Sequence, residues 1–162
     1  MDNVRELEMR FKDEIKYHIF RFMPKLDSRY LLFKPSSEYE DSSLSYDAIF
    51  NSNFTLSIRI RRNYALRYKD ITIRSKSKNG YKTEIDKIME GMGQLYFYAY
   101  MNESETRLVK IRVVDIDVIR KMTLNNQFEQ RKNKNDPTHF YVYSFKDIAE
   151  NKGGLYKYDC KN

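Results

Sequence analysis

Residues 70–101 read DITIRSKSKNGYKTEIDKIMEGMGQLYFYAYM, and the order of patterns in this stretch decides the fold class. Ile71 and Ile73 alternate with Asp70, Thr72 and Arg74, the period of a strand. Asn79-Gly80 marks a turn. Thr83-Glu84-Ile85-Asp86 then opens a helix as a capping box, with Asp86 where Glu or Gln is usual. Ile85, Ile88, Met89 and Met92 form the apolar stripe of that helix, and Gly91 and Gly93 end it. A second strand follows at 95–101, with Tyr96, Tyr98 and Tyr100 on one face. Strand, helix, strand predicts an α/β protein, with α+β as the alternative.

Outward from this stretch, Val4, Leu7, Phe11, Ile15, His18 and Phe22 recur at helical spacing, with Asp2 as N-cap and Pro24 as the stop. His18 lies on that stripe and reads as a core or boundary histidine rather than a ligand. Strands are expected at 29–33, 46–50, 54–61 and 109–114, and from His139 to Phe145. Asp115 caps a helix over 116–122, and a helical turn begins at Ser144 or Asp147. Residues 34–45 read as a serine-rich acidic loop, 123–139 as a mobile loop and 155–162 as a polar tail. The expectation is one domain over 1–162: a central mixed sheet, a long N-terminal helix, and a second helix after strand three.

The charge is uneven. The chain of 162 residues carries a formal net charge of +7. Arg59, Arg61, Arg62, Arg67, Lys69, Arg74, Lys76, Lys78 and Lys82 stand against the single acid Asp70, so residues 59–82 hold a net +8. Residues 35–58 hold Glu38, Glu40, Asp41 and Asp47 with no Lys or Arg. A concentrated basic stretch suits phosphate binding, because neutralising phosphates releases their counterions. The plainer use of such charge is a solvated sheet edge guarded against aggregation. If the strands at 54–61 and 70–75 are neighbours, their basic side chains line one surface. The tyrosine row offers stacking for bases, although packing is the commoner use of such a row.

Several chemistries are excluded. No Gly-x-x-x-x-Gly-Lys or Gly-x-Gly-x-x-Gly segment is present, and two histidines with one cysteine do not make a standard zinc site. No apolar run reaches membrane-spanning length, and Met1-Asp2-Asn3-Val4-Arg5-Glu6 is too charged for a signal peptide. With Cys160 alone, no internal disulfide forms, and a reduced, cytoplasmic setting is expected. Carboxylate chemistry remains. Asp70 and Glu84, helped by Asp47 or Glu14, are the candidate ligands for Mg, and Lys87 is the candidate to steady a developing phosphate charge. Glu84 and Asp86 have a simpler use too, since acids at a helix start oppose its dipole favourably.

The run of a helix, several strands, a helix and a strand over about residues 3–120 resembles the restriction-endonuclease-like nuclease superfamily. That resemblance implies an acid followed by an acid-x-lysine pair on the next strand. Here the strand after Asp47 carries Ser57-Ile58-Arg59 with no acid. The acids after Asp70 fall in Glu84-Ile85-Asp86-Lys87, on a helix. The site so implied is atypical or degenerate. DITIRS, KTEIDKI and LYFYAY also resemble stretches of small uncharacterised phage and mobile-element proteins. The expected function is DNA or RNA binding of phage or mobile-element type, with metal-dependent phosphodiester cleavage if the carboxylates converge. The alternative is a non-catalytic inhibitor or adaptor that binds a host protein through the 35–58 segment, exposed tyrosines and the 123–139 loop.

Overall fold

A computed structural model describes residues 6, 9–22, 33–35, 48–50, 54–77, 79–151 and 155–160. The Asp2 cap, the Pro24 stop, the predicted strand over 29–32 and most of the 34–45 loop lie outside the described residues.

The fold is mixed α/β. Its elements in chain order are α1 (Lys12–Phe22), β1 (Phe33–Pro35), β2 (Ala48–Phe50), β3 (Phe54–Arg61), a 3-10 helix (Asn63–Arg67), β4 (Asp70–Lys76) and α2 (Glu84–Met89). Next come β5 (Leu95–Met101), β6 (Leu108–Asp115), α3 (Ile116–Leu124), β7 (Glu129–Lys132), β8 (His139–Ser144), α4 (Phe145–Glu150) and β9 (Leu155–Asp159). A six-stranded sheet runs β1-β2-β3-β5-β6-β9, with β3 and β5 parallel and every other pair antiparallel. A three-stranded antiparallel sheet runs β4-β8-β7.

All seven residues of β5 are buried, so the larger sheet must be covered on both faces at its centre. Phe97, Ala99 and Met101, with Ile111 and Val113 of β6, pack under Phe11 and under Ile15 and Ile19 of α1. On the other face Tyr96, Tyr98 and Tyr100 pack with Ile71 and Ile73 of β4, Tyr143 of β8 and the apolar sides of α2, α3 and α4. Helix, sheet, then a mixed layer of small sheet and helices is the resulting stack. Local signals hold where they were strongest. Thr83 caps α2 in a capping box with Asp86, and Asp115 and Ser144 cap α3 and α4. Gly80 takes a φ of +71° in the turn before α2, a conformation that glycine reaches without strain.

Four expectations need correction. β4 is not a neighbour of β3; it pairs with β8, from Asp70 opposite Ser144 to Lys76 opposite His139, so no shared surface with β3 forms. Consequently α2 follows the third strand of the larger sheet but the fourth strand of the chain. The 123–139 stretch contains β7, held to β8 by backbone pairing from Glu129–Val142 to Lys132–His139. The 155–162 tail contains β9, the outer strand beside β6. Among the described residues no helix is long and apolar enough to cross a membrane.

Two outcomes follow from this packing. Phe97 is fully buried at the sheet centre, and Phe97→Ala is expected to cost about 3–5 kcal/mol of folding stability. A lower urea midpoint with an unchanged slope would register that loss. His18 is 2% exposed, with its Nδ1 3.1 Å from the Tyr156 hydroxyl. Burial, aided by the Arg21 charge, lowers its pKa to about 4. Below about pH 6.5 the unfolded chain takes up a proton that the folded imidazole refuses. Stability is therefore full above about pH 6.5 and declines as pH falls toward 4, by up to about 3 kcal/mol. Urea midpoints compared at about pH 7 and about pH 4.5 should show a steeper loss in the natural chain than in His18→Gln.

Candidate functional site

The carboxylates singled out in the sequence take up separate positions. Glu84, at the first turn of α2, reaches back over the sheet: its Oε1 accepts from the Tyr96 hydroxyl at 2.7 Å and its Oε2 lies 3.1 Å from Arg59 Nη2. The Arg74 backbone N–H also points at Oε2, at 3.5 Å. Burial pushes the Tyr96 phenol well above its ordinary pKa, so it serves as a neutral donor. The Arg59 guanidinium, beside Tyr96 and the Glu84 carboxylate, has its pKa raised. Asp70, at the start of β4, is ion-paired with Arg131 at 3.2 Å. Four residues of strand separate Asp70 from Arg74, about 13 Å at ~3.3 Å per residue. Glu14 lies across the larger sheet, on the α1 side, where both oxygens accept from the Leu108 N–H at 3.2 and 3.3 Å. Burial raises its pKa.

Glu14 therefore does not join Asp70 and Glu84, because a sheet of buried side chains stands between them. Lys87 is half-buried on α2, and Asp47 lies outside the described residues. Among the described residues no three His, Cys, Asp or Glu side chains approach closely enough to hold a metal ion. Glu84 and Asp70 already answer Arg59 and Arg131, so their oxygens do not fit a magnesium site of the kind expected.

The basic segment divides in two. Arg59 and Arg61, near the end of β3, are half-buried. They lie in register with Tyr98 and Tyr100, on the face that carries the tyrosines. Across β5, Tyr98 and Tyr100 face Arg112 and Lys110 of β6. Arg112 is bidentate to Asp159 at 2.8 and 3.0 Å, and its Nη1 donates to the Ile111 and Tyr158 carbonyls. Lys110 Nζ sits over the Tyr100 and Phe145 rings and donates to the Leu66 and Tyr68 carbonyls at 3.4 and 3.2 Å. Burial, with Arg112 beside it, lowers the Lys110 pKa. Neither Lys110 nor Arg112 was among the sequence candidates, although Lys110 and Arg112 alternate with Ile111 and Val113 as Arg59 and Arg61 do with Ile58 and Ile60.

The rest of the segment faces outward. Arg62 pairs with Glu105 at 3.3 Å and Lys82 with Glu90 at 2.7 Å, so both are compensated. Arg67 lies on the Tyr68 ring, 5.0 Å from its centre. Lys69, Arg74 and Lys76 are exposed, and Lys78 lies outside the described residues. Tyr64, Tyr68 and Tyr81 are also exposed, unlike the Tyr96–Tyr100 row, whose use is packing. Behind the 3-10 helix an open cavity of about 750 Å³ is lined by Asn63, Arg107, Lys110, Glu103 and Asp159 among others, with opposite charges in balance.

The Arg59–Glu84–Tyr96 contact ties α2 to the centre of the larger sheet. Glu84→Gln keeps an acceptor for Tyr96 but leaves Arg59, 29% exposed, without its counter-charge. A loss of about 1–2 kcal/mol is expected by chemical denaturation, discounted for the exposure of the pair. An unchanged midpoint would show that solvent alone satisfies Arg59.

No family model matches this sequence, and a search of curated proteins finds none with significant similarity.

Proposed function

We propose that this protein binds nucleic acid through the outward side of residues 62–82. The observation that carries this reading is a run of exposed cations with no acid to answer them. Arg67, Lys69, Arg74 and Lys76 are exposed and form no ion pair among the described residues, and Tyr64, Tyr68 and Tyr81 of the same segment are exposed too. Uncompensated cations close along the chain repel each other, and a polyanion removes that cost while releasing its own counterions. Arginine, lysine and tyrosine hydroxyls are the usual donors to phosphate oxygens. Guarding an edge strand accounts for Arg74 and Lys76 on β4. It does not account for Arg67 and Lys69, which lie on the 3-10 helix and the connector after it.

Metal-dependent cleavage, the other branch of the sequence reading, finds no support in the positions of Glu14, Asp70 and Glu84. The partner-protein alternative rests on residues 35–58, most of which lie outside the described residues, on exposed tyrosines, such as Tyr64, Tyr68 and Tyr81, and on the 123–139 loop, part of which is strand. The proposal is thus for a sequence-independent phosphate contact.

Fluorescence anisotropy with labelled DNA and RNA across a salt series tests it. Four phosphate contacts predict a slope of log K against log salt of about −3 to −4. Replacing Arg67 and Lys69 together by Ala should reduce the steepness by about 2 and weaken all sequences alike. Absence of binding at about 50 mM salt would overturn the proposal.

A further inference from the structure

We infer that one row of the three-stranded sheet, Lys76, His139 and Lys132, is a seat for a phosphate monoester, the group at the end of a nucleic-acid strand. This rests on the nucleic-acid reading above and names the group that the sheet takes. His139 opens the middle strand β8; Lys76 ends β4 on one side of it, and Lys132 ends β7 on the other. Both lysines are in register with His139, so the three side chains share one face at one end of the sheet.

A bulge makes the row. Arg74 pairs with Phe140, and regular pairing would set Ser75 opposite His139; the register shifts there, and Lys76 takes that place. An extra residue at such a point re-aims a side chain. The middle of the row is prepared as well. Gln130 Nε2 lies 3.2 Å from His139 Nδ1. With the amide donating there, the proton of the neutral imidazole stands on Nε2, and a donor is held between two ammonium groups. Each lysine backbone lies one strand spacing, about 5 Å, from that of His139, so both long side chains can reach a group seated over the ring.

Lys76 and Lys132 are exposed and form no ion pair among the described residues. The next row on the same face, Ile73, Tyr141 and Gln130, carries no charge to answer them. Two cations with a neutral donor between them match a phosphate monoester, which holds about 1.5 to 2 negative charges near pH 7. A backbone diester holds one. Guarding the outer strands asks for charge on β4 and β7. It asks neither for an oriented histidine between them nor for a bulge that moves Lys76 beside it.

The test uses one internally labelled oligonucleotide, made with phosphate at both ends and with hydroxyl at both ends, titrated by anisotropy. The natural chain should hold the phosphorylated form about tenfold tighter, the effect of a bond to a charged group. Lys76→Gln, Lys132→Gln and His139→Leu should each remove most of that preference, with melting temperatures confirming that the variants fold. Arg67→Ala/Lys69→Ala should weaken both forms and keep the preference. Equal affinity of the natural chain for the two forms overturns this inference and leaves the nucleic-acid reading standing. A preference that survives both Lys132→Gln and His139→Leu overturns it too. If inorganic phosphate shifts the His139 ring signals in NMR while the two oligonucleotides bind alike, the row takes free phosphate and the strand end is ruled out. Failure of the natural chain to bind either form would instead remove the underlying function.

Discussion

The structure depends on burying β5 on both faces while that strand carries three tyrosines on one of them. Leu95, Phe97, Ala99 and Met101 ask only for apolar cover, which α1 supplies. Tyr96, Tyr98 and Tyr100 ask for apolar cover and for partners to their hydroxyls, since a buried hydroxyl without one costs about 1–3 kcal/mol. Tyr96 finds Glu84 at 2.7 Å, and Tyr100 donates to the Asp70 carbonyl at 3.3 Å. The first contact fixes the start of α2, and the second fixes the start of β4. The layer that covers the tyrosines is therefore positioned by them.

The same face explains where the basic residues go. The basic residues of β3 and β6 lie on the tyrosine face and must find partners there. Arg59 does this through Glu84, and Arg112 through Asp159 and two carbonyls. These cations stabilise the junction of two layers by contacts that aliphatic side chains would not make. The residues from Arg62 onward leave that environment at the 3-10 helix and turn to solvent. A single run of positive charge in the sequence thus serves two environments.

Much of the fold was legible where apolar residues alternate or recur within one element. The observed limits of β3 and β5 match their patterns, and the capping box at Thr83 sets the start of α2. What escaped has physical causes. Glu129-Gln130-Arg131-Lys132 has no apolar face, because β7 is an exposed outer strand held by backbone bonds and by Arg131 to Asp70. Lys157 and Asp159 gave β9 the look of a tail for a similar reason. The partner of β4 was not readable either. Its alternation suits either sheet, and the choice rests on contacts with β8, about seventy residues further along the chain. For the candidate site the sequence supplies the acids, but which side of a sheet each faces is a property of the assembled layers.

The inward cations also bear on the outward ones. Lys110 grips the carbonyls of Leu66 and Tyr68, on either side of Arg67, from beneath. This grip, the bond from the Phe145 N–H to the Lys69 carbonyl and the burial of Ala65 together hold the short connector of five-residue 3-10 helix and two further residues in place. Burial lowers the affinity of Lys110 for its proton, while the two carbonyls and two aromatic faces favour the ammonium form. The cation that the fold finds costly to bury is therefore one of the contacts that position the backbone on either side of Arg67. A surface fixed in advance loses less entropy when it meets a rigid polyanion than a mobile loop would. In this arrangement the cations of the interior are the support on which the cations of the surface stand.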